Sequence, residues 1–243
     1  MSRSLKLTAL LVAAATLACT ISVPSFNTTS GSGTVVTLTK DFTGFDRVEI
    51  GSAFEATVQQ GETFAVVIRI DDNLEQDLHL NQVGQTLEVS LDPDRVFGIG
   101  RATLEAEITM PTLAGVEARG ASHVTLAGFD SPQTLRVVAS GASSVAGEIQ
   151  AGETSMEASG ASSISLAGRA ANLVLEVSGA SSVDLESFPV TDLQAELSGA
   201  SSAVVNAAGT LDVEASGASE LSYLGNPTLG SVNTSGASTV REK

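Results

Sequence analysis

Tryptophan is absent from this 243-residue chain, aromatic residues make up 4% of it, and cysteine occurs once, at Cys19. A single thiol cannot form an intramolecular disulfide, so covalent cross-links do not hold the fold. With so few rings, the interior has to be filled by Val, Leu, Ile and Ala, which supply most of the 42% hydrophobic content. Small aliphatic side chains suit the slim interior of a β-solenoid. Positive charge is scarce as well. Twelve Lys and Arg stand against 28 Asp and Glu, a formal charge of −16. Such a surface repels nucleic acid and anionic lipid and argues against both as partners.

Histidine occurs only at His79 and His123, neither near Cys19 nor in a zinc-binding spacing. No serine sits in a nucleophile-elbow context with a partner base. Helical periodicity is missing apart from a short turn at Asp72 to Leu78. A bilayer-spanning run is missing too. The apolar stretch from Leu7 to Ala18, interrupted by Thr8 and Thr16, is too short to cross. Arg3 and Lys6 precede it, which makes residues 1–18 a secretory signal. Thr16-Leu17-Ala18-Cys19 resembles a bacterial lipobox, with Thr16 where Leu is usual. On that reading Cys19 is lipidated and becomes the first residue, and the membrane is touched only through this anchor. The plainer alternative is a cleaved signal beside an incidental thiol. Export removes Arg3 and Lys6 and no acid, so the charge moves from −16 to −18.

What the chain has in abundance is a repeat. Arg119-Gly120-Ala121-Ser122 is followed by six Ser-Gly-Ala-Ser tetrapeptides starting at Ser140, Ser159, Ser178, Ser198, Ser216 and Ser235. Their glycines (Gly120, Gly141, Gly160, Gly179, Gly199, Gly217, Gly236) are spaced by 21, 19, 19, 20, 18 and 19 residues. A unit this short cannot bury its own apolar face and must stack on the next, so the pattern predicts a β-solenoid of about 19–20 residues per coil. The residues one, three and five positions before the tetrapeptides are mostly apolar, as at Leu173, Leu175 and Val177, the period of a strand with those side chains inward. The tetrapeptide is then a corner, where glycine permits a conformation or approach that a Cβ would obstruct. The alanine is expected to fill its inside.

Upstream, Val48-Ile50, Phe54-Ala56-Val58, Phe64 to Ile70, Leu87 to Leu91 and Leu104 to Ile108 alternate with period two. The organisation expected is a signal over 1–18, a Ser/Thr/Gly-rich tether over 19–34, a β-strand part over 35–110 and the repeat solenoid over 111–243. The class is all-β.

The stretch from Gly51 to Leu74, the later TLEVSLDP and ITMPTLAGVEARGASHVTL segments and the serial Ser-Gly-Ala-Ser resemble the head GIN domain family of putative auto-transporter adhesins. The resemblance covers roughly Phe42 to Val240. It implies a single-stranded, right-handed parallel β-helix on bacterial envelope proteins, often lipoproteins, and it supplies no catalytic motif.

One outward column is acidic. Two residues before each tetrapeptide stand Glu117, Val138, Glu157, Glu176, Glu196, Glu214 and Asn233. Carboxylates one strand spacing apart repel by roughly 1 kcal/mol in water. The functional reading is a stripe that shares cations, Ca²⁺ or a polycation. The plain reading is a solvated face that keeps strands from pairing edge to edge. Asp71 to Asp77 fails as an EF-hand, with Gln76 at the glycine place and Gln82 at the closing glutamate. Asp92-Pro93-Asp94 reads as a turn. The bases Arg101, Arg119, Arg136, Arg169, Arg241 and Lys243 do not share one rung position, unlike those of a polysaccharide lyase. The expectation is a non-enzymatic binding protein of the bacterial envelope without a cofactor, partnered by an envelope protein or an extracellular glycan. Export across the inner membrane would leave it lipid-anchored at the outer membrane or cell surface. The alternatives are a structural or signalling-linked envelope module that binds another protein, and a polysaccharide-acting enzyme.

Overall fold

Alternating Val, Leu, Ile and Ala carry the chain into strands almost everywhere, and the strands stack. A computed structural model describes residues 28–94, 99–131 and 133–243. Cys19, the signal and most of the tether lie outside the described residues. The fold is all-β, a solenoid of about seven turns with parallel stacked strands. Each coil gives one strand to each of two sheets, eleven strands in the first and ten in the second. One coil illustrates the path. Glu153–Ala158 lies in the second sheet, residues 159–162 turn the corner, and Ser163–Arg169 lies in the first.

Register is kept from coil to coil. In the second sheet Met156 sits over Leu175, Ala195 and Val213. In the first, Val145, Ile164, Val183, Ala203 and Leu221 form a file. All of these are buried. Inward columns of mainly aliphatic side chains fill the gap between the sheets.

The upstream strands belong to the same two sheets. Arg47–Ile50 lies parallel between Gly115–Ala118 and Thr86–Leu91. Glu55–Gln60 lies parallel between Leu104–Met110 and His123–Ser131. Antiparallel pairs close that end: Ala65–Asp71 lies between Val35–Lys40 and Leu104–Met110, and Leu78–Val83 pairs with Thr86–Leu91. A 3₁₀ turn, Asp72–Asp77, buries Leu74. Beside it, buried Asp71 accepts N–H groups from Gly33 and Thr103, each at 2.7 Å. That carboxylate is a structural peg, and the segment is not an ion-binding loop of EF-hand form. Asp92 turns the chain by accepting the N–H of Asp94 at 2.9 Å.

The corners stand in single file. The N–H groups of Ala161, Ala180, Ala200, Ala218 and Ala237 each donate to the carbonyl of the glycine one coil earlier, at 2.7–2.8 Å. Gly179 has φ +73°, and a Cβ there would meet the Gly160 carbonyl oxygen at 2.5 Å. Both the backbone conformation and the close approach demand glycine.

The alanine reading needs correction. Ala142, Ala161, Ala180, Ala200 and Ala218 are exposed, and the last serine of each of these tetrapeptides is the buried member. Ser122, Ser143, Ser162, Ser181, Ser201 and Ser219 are all 3% exposed or less. The left-handed glycine swings the alanine outward and the serine in. Carbonyls of the same corner and of the coil below converge there, the latter already accepting one backbone N–H and able to accept a second bond. Ser143 Oγ bonds to both Ser140 and Ala118 carbonyls, each at 2.8 Å. An alanine methyl donates to neither.

Candidate functional site: the acid-bearing outer face

Strand parity decides what faces water. With Leu173, Leu175 and Val177 inward, Val174 and Glu176 on the same strand point out. Cross-strand registry then aligns Glu157, Glu176, Glu196 and Glu214 as direct neighbours, followed by Asn233. Val138 separates this run from Glu117. Beyond Glu117 the structure adds members that the repeat spacing did not disclose. Glu49 pairs in register with Glu117, Glu88 with Glu49, and Asn81 with Glu88. The column therefore holds three acids, one valine and four acids, with asparagine at either end.

A signal for Glu49 was present in the sequence. Gly51-Ser52-Ala53-Phe54 is an eighth corner, aligned with residues 119–122 through the bonds Arg119 N–H to Ile50 carbonyl (2.8 Å) and His123 N–H to Phe54 carbonyl (2.9 Å). Glu49 stands two residues before it, like the other column members. The corner was hidden because Ser52 takes the glycine place at φ +57° and Phe54 takes the buried serine place.

The two acidic runs differ electrically. Arg119 bonds Glu49 at 2.8 Å and Glu117 at 2.6 Å, and His79 lies 3.3 Å from Glu88. Burial raises the Glu49 pKa, reinforced by Glu117 and Glu88 and opposed by Arg119 and His79. Desolvation thus outweighs the ion pair. The Arg119 pKa rises through its hydrogen bond to Glu117 and the nearby carboxylates, against desolvation. In the second run only Glu157 has a cation, Arg136 at 2.9 Å. Among the described residues Glu176, Glu196 and Glu214 have no ion pair.

No three of His, Cys, Asp and Glu among the described residues converge closely enough to hold a metal ion. The column is a line, whereas Ca²⁺ needs six to eight oxygens around a centre. The outward His79 and the corner residue His123 belong to strands of different sheets. Surface dips are open and shallow. One of about 120 Å³ lies over Gly115 between Arg47 and Arg136. The arrangement can hold an extended ligand along a flat charged surface.

Residues 44–227, well over half of the chain, match the family model described as "Putative auto-transporter adhesin, head GIN domain". No curated protein matches. Among solved structures, a putative adhesin from Bacteroides fragilis NCTC 9343 superposes with a TM-score of 0.75 at 19% identity, covering 88% of this chain and 100% of that one. A putative adhesin from Parabacteroides merdae ATCC 43184 gives 0.68 at 16%, covering 88% and 98%. A protein described as a putative lipid binding protein, from Parabacteroides distasonis ATCC 8503, gives 0.70 at 16%, covering 88% and 99%. At these identities the likeness concerns the fold.

Proposed function

The chain belongs to the head GIN domain family of putative auto-transporter adhesins, and on that premise we propose that it is a non-enzymatic, lipid-anchored binding protein of the bacterial envelope. The observation that carries this reading is the rigid outward row of Glu157, Glu176, Glu196 and Glu214, three of them without a cation. Like charges held in file cost stability unless a partner offsets them. A flat, repetitive, uncompensated row suits a ligand that is itself extended and bears positive groups, such as an amino-sugar glycan or a basic stretch of an envelope protein. Family membership points to a surface or envelope location, and no helix among the described residues is long and apolar enough to cross a membrane. The anchor is Cys19, and from Thr29 to Gly33 the chain is already bonded to the solenoid, at Ile99, Arg101, Asn73 and Asp71.

The test compares beads carrying the full chain with beads carrying the triple variant Glu176→Gln, Glu196→Gln, Glu214→Gln. Retention on amino-sugar glycan and on basic envelope protein should fall at least tenfold, with the melting temperature unchanged or raised. Equal retention would overturn the reading. A glycan array beside a binding screen against envelope proteins separates an adhesin from a partner module. Turnover of an acidic polysaccharide would establish the enzyme instead. Mass spectrometry of the mature amino terminus reads the anchor directly, as diacylglycerol on Cys19.

A further inference from the structure

Beside the acid column, two residues earlier on each strand, runs a second outward column: Thr86, Arg47, Gly115, Arg136 and Ser155 in register. Two irregularities meet at its centre. Gly115 brings no side chain, and one coil on, Val138 stands where the neighbouring coils carry an acid. Together they open the dip of about 120 Å³ between Arg47 and Arg136. The two arginines lie two strand spacings apart, about 9.6 Å. Arg47 leans into the gap, since a Cβ on Gly115 would meet its Cγ at 3.4 Å and its Cδ at 3.6 Å.

The charges around this dip do not cancel in place. Arg136 is matched by Glu157 at 2.9 Å. Arg119 serves both Glu49 and Glu117, and Glu88 has only His79. Three carboxylates of the upper column thus share one permanent cation. Arg47 has no ion pair among the described residues. Covering the Gly115 backbone takes only its aliphatic stem and leaves the guanidinium free. An unmatched positive group therefore stands two residues, about 7 Å along the strand, from a surplus of negative charge.

We propose that the dip binds a small zwitterion of the α-amino acid class, its carboxylate on Arg47, its ammonium between Glu49 and Glu117, and its aliphatic body over Gly115 and Val138. A guanidinium takes a carboxylate through two parallel hydrogen bonds. An ammonium brings three donors to carboxylates that have a single arginine between them. A simple anion would meet Glu49 and Glu117 as like charges, and a simple cation would leave Arg47 unmatched. A ligand with both charges balances both sides at once. The size of the dip suits a compact head group with a short side chain. The site stands apart from the row of Glu176, Glu196 and Glu214, none of which borders it.

Ligand-observed NMR on the full exported chain carrying Cys19→Ser tests it, with L-valine as the probe. A dissociation constant of about 1 mM is expected. Isovalerate, which lacks the ammonium, and isobutylamine, which lacks the carboxylate, should each bind at least tenfold more weakly. Arg47→Gln should weaken valine at least tenfold and leave isobutylamine unchanged. Gly115→Val fills the dip and should abolish binding. Arg47→Gln leaves the floor of the dip as it is, so the test survives if Gly115→Val fails to fold. No valine binding at about twenty times the expected constant overturns the proposal. So does isovalerate binding as tight as valine's, which would make this a site for anions, and so does valine binding that Arg47→Gln leaves intact.

Discussion

Ser162 reaches one coil down and donates its hydroxyl to the carbonyl of Ala139 at 2.9 Å, across 23 residues of chain. The group is buried, so no water replaces the bond when it is lost. That carbonyl also accepts the Ser159 N–H at 2.9 Å, so Ser162→Ala should destabilise the protein by about 0.5–1.5 kcal/mol, the net worth of one hydrogen bond. The adjacent exposed position is the control: Ala161→Ser should change stability by less than about 0.5 kcal/mol. Denaturant titration of both variants decides. Equal effects would mean that the alanine, and not the serine, fills the inside of the corner.

Two glycines with the same backbone angle separate strain from collision. Gly128 has φ +75° and open space around its missing Cβ, whereas Gly179 has φ +73° and the Gly160 carbonyl at 2.5 Å. Gly128→Ala should cost about 1–2 kcal/mol, the left-handed penalty alone. Gly179→Ala should cost several kcal/mol, because two stacked backbones must move apart. Unfolding curves that coincide for the two variants would contradict the close stacking of coils.

The acid column makes stability depend on salt. Replacing Glu176 and Glu196 together by Gln removes neighbouring like charges and should raise the melting temperature at about 0.01 M salt, with the gain shrinking toward zero at about 1 M. Glu157→Gln should give no such gain, since it also removes the partner of Arg136. Adding Ca²⁺ at constant ionic strength should leave the wild-type melting temperature unchanged, because no three ligands converge among the described residues.

Glu49 predicts a pH dependence of definite sign. Burial raises its folded pKa above the ordinary 4.5 despite Arg119. The folded chain therefore holds that proton more tightly than the unfolded chain. The stability gained is fully present below 4.5 and is lost as pH rises through the folded value. Glu49→Gln lacks this titration, so its melting temperature should gain on the wild type between about pH 4 and about pH 7. Glu88, Glu117 and His79 face the same carboxyl, so the profile belongs to the cluster. A difference independent of pH would show that desolvation of Glu49 is not the dominant influence.

Much of this architecture was legible because two periods coincide in the chain. A strand period of two set the inward columns, and a coil period near twenty set their stacking, so Leu175 and Ala195 could be placed opposite each other before any coordinates. The four-acid run followed from the same arithmetic. What stayed hidden depends on order in space. Arg47–Ile50 enters the stack beside Gly115–Ala118, 65 residues later at its nearest, and no local pattern announces that neighbour. Ser52 and Phe54 disguised the first corner by replacing its most recognisable letters. The alanine was misplaced for another reason. Its small size suggested the inside, whereas the left-handed glycine turns the alanine outward and the serine hydroxyl adds a second bond to a buried carbonyl.

The glycine spacings vary from 18 to 21, yet the corner bonds hold and the acid-bearing strands from Glu153 to Ala215 keep their register, with a bulge in that sheet only at the pairing with Thr228–Thr234. The surplus goes elsewhere, as in the irregular pairing between Asp184 and Pro189 on the far side of the first sheet. That return side acts as a slack seam, while the glycine seam is taut. Lengthening the chain by one residue at the taut seam would invert a strand, but a loop grafted on the slack side, or an entire extra turn, leaves every facing side chain where it was. Length and decoration can therefore change independently in such a molecule, the first by whole turns and the second along a single edge.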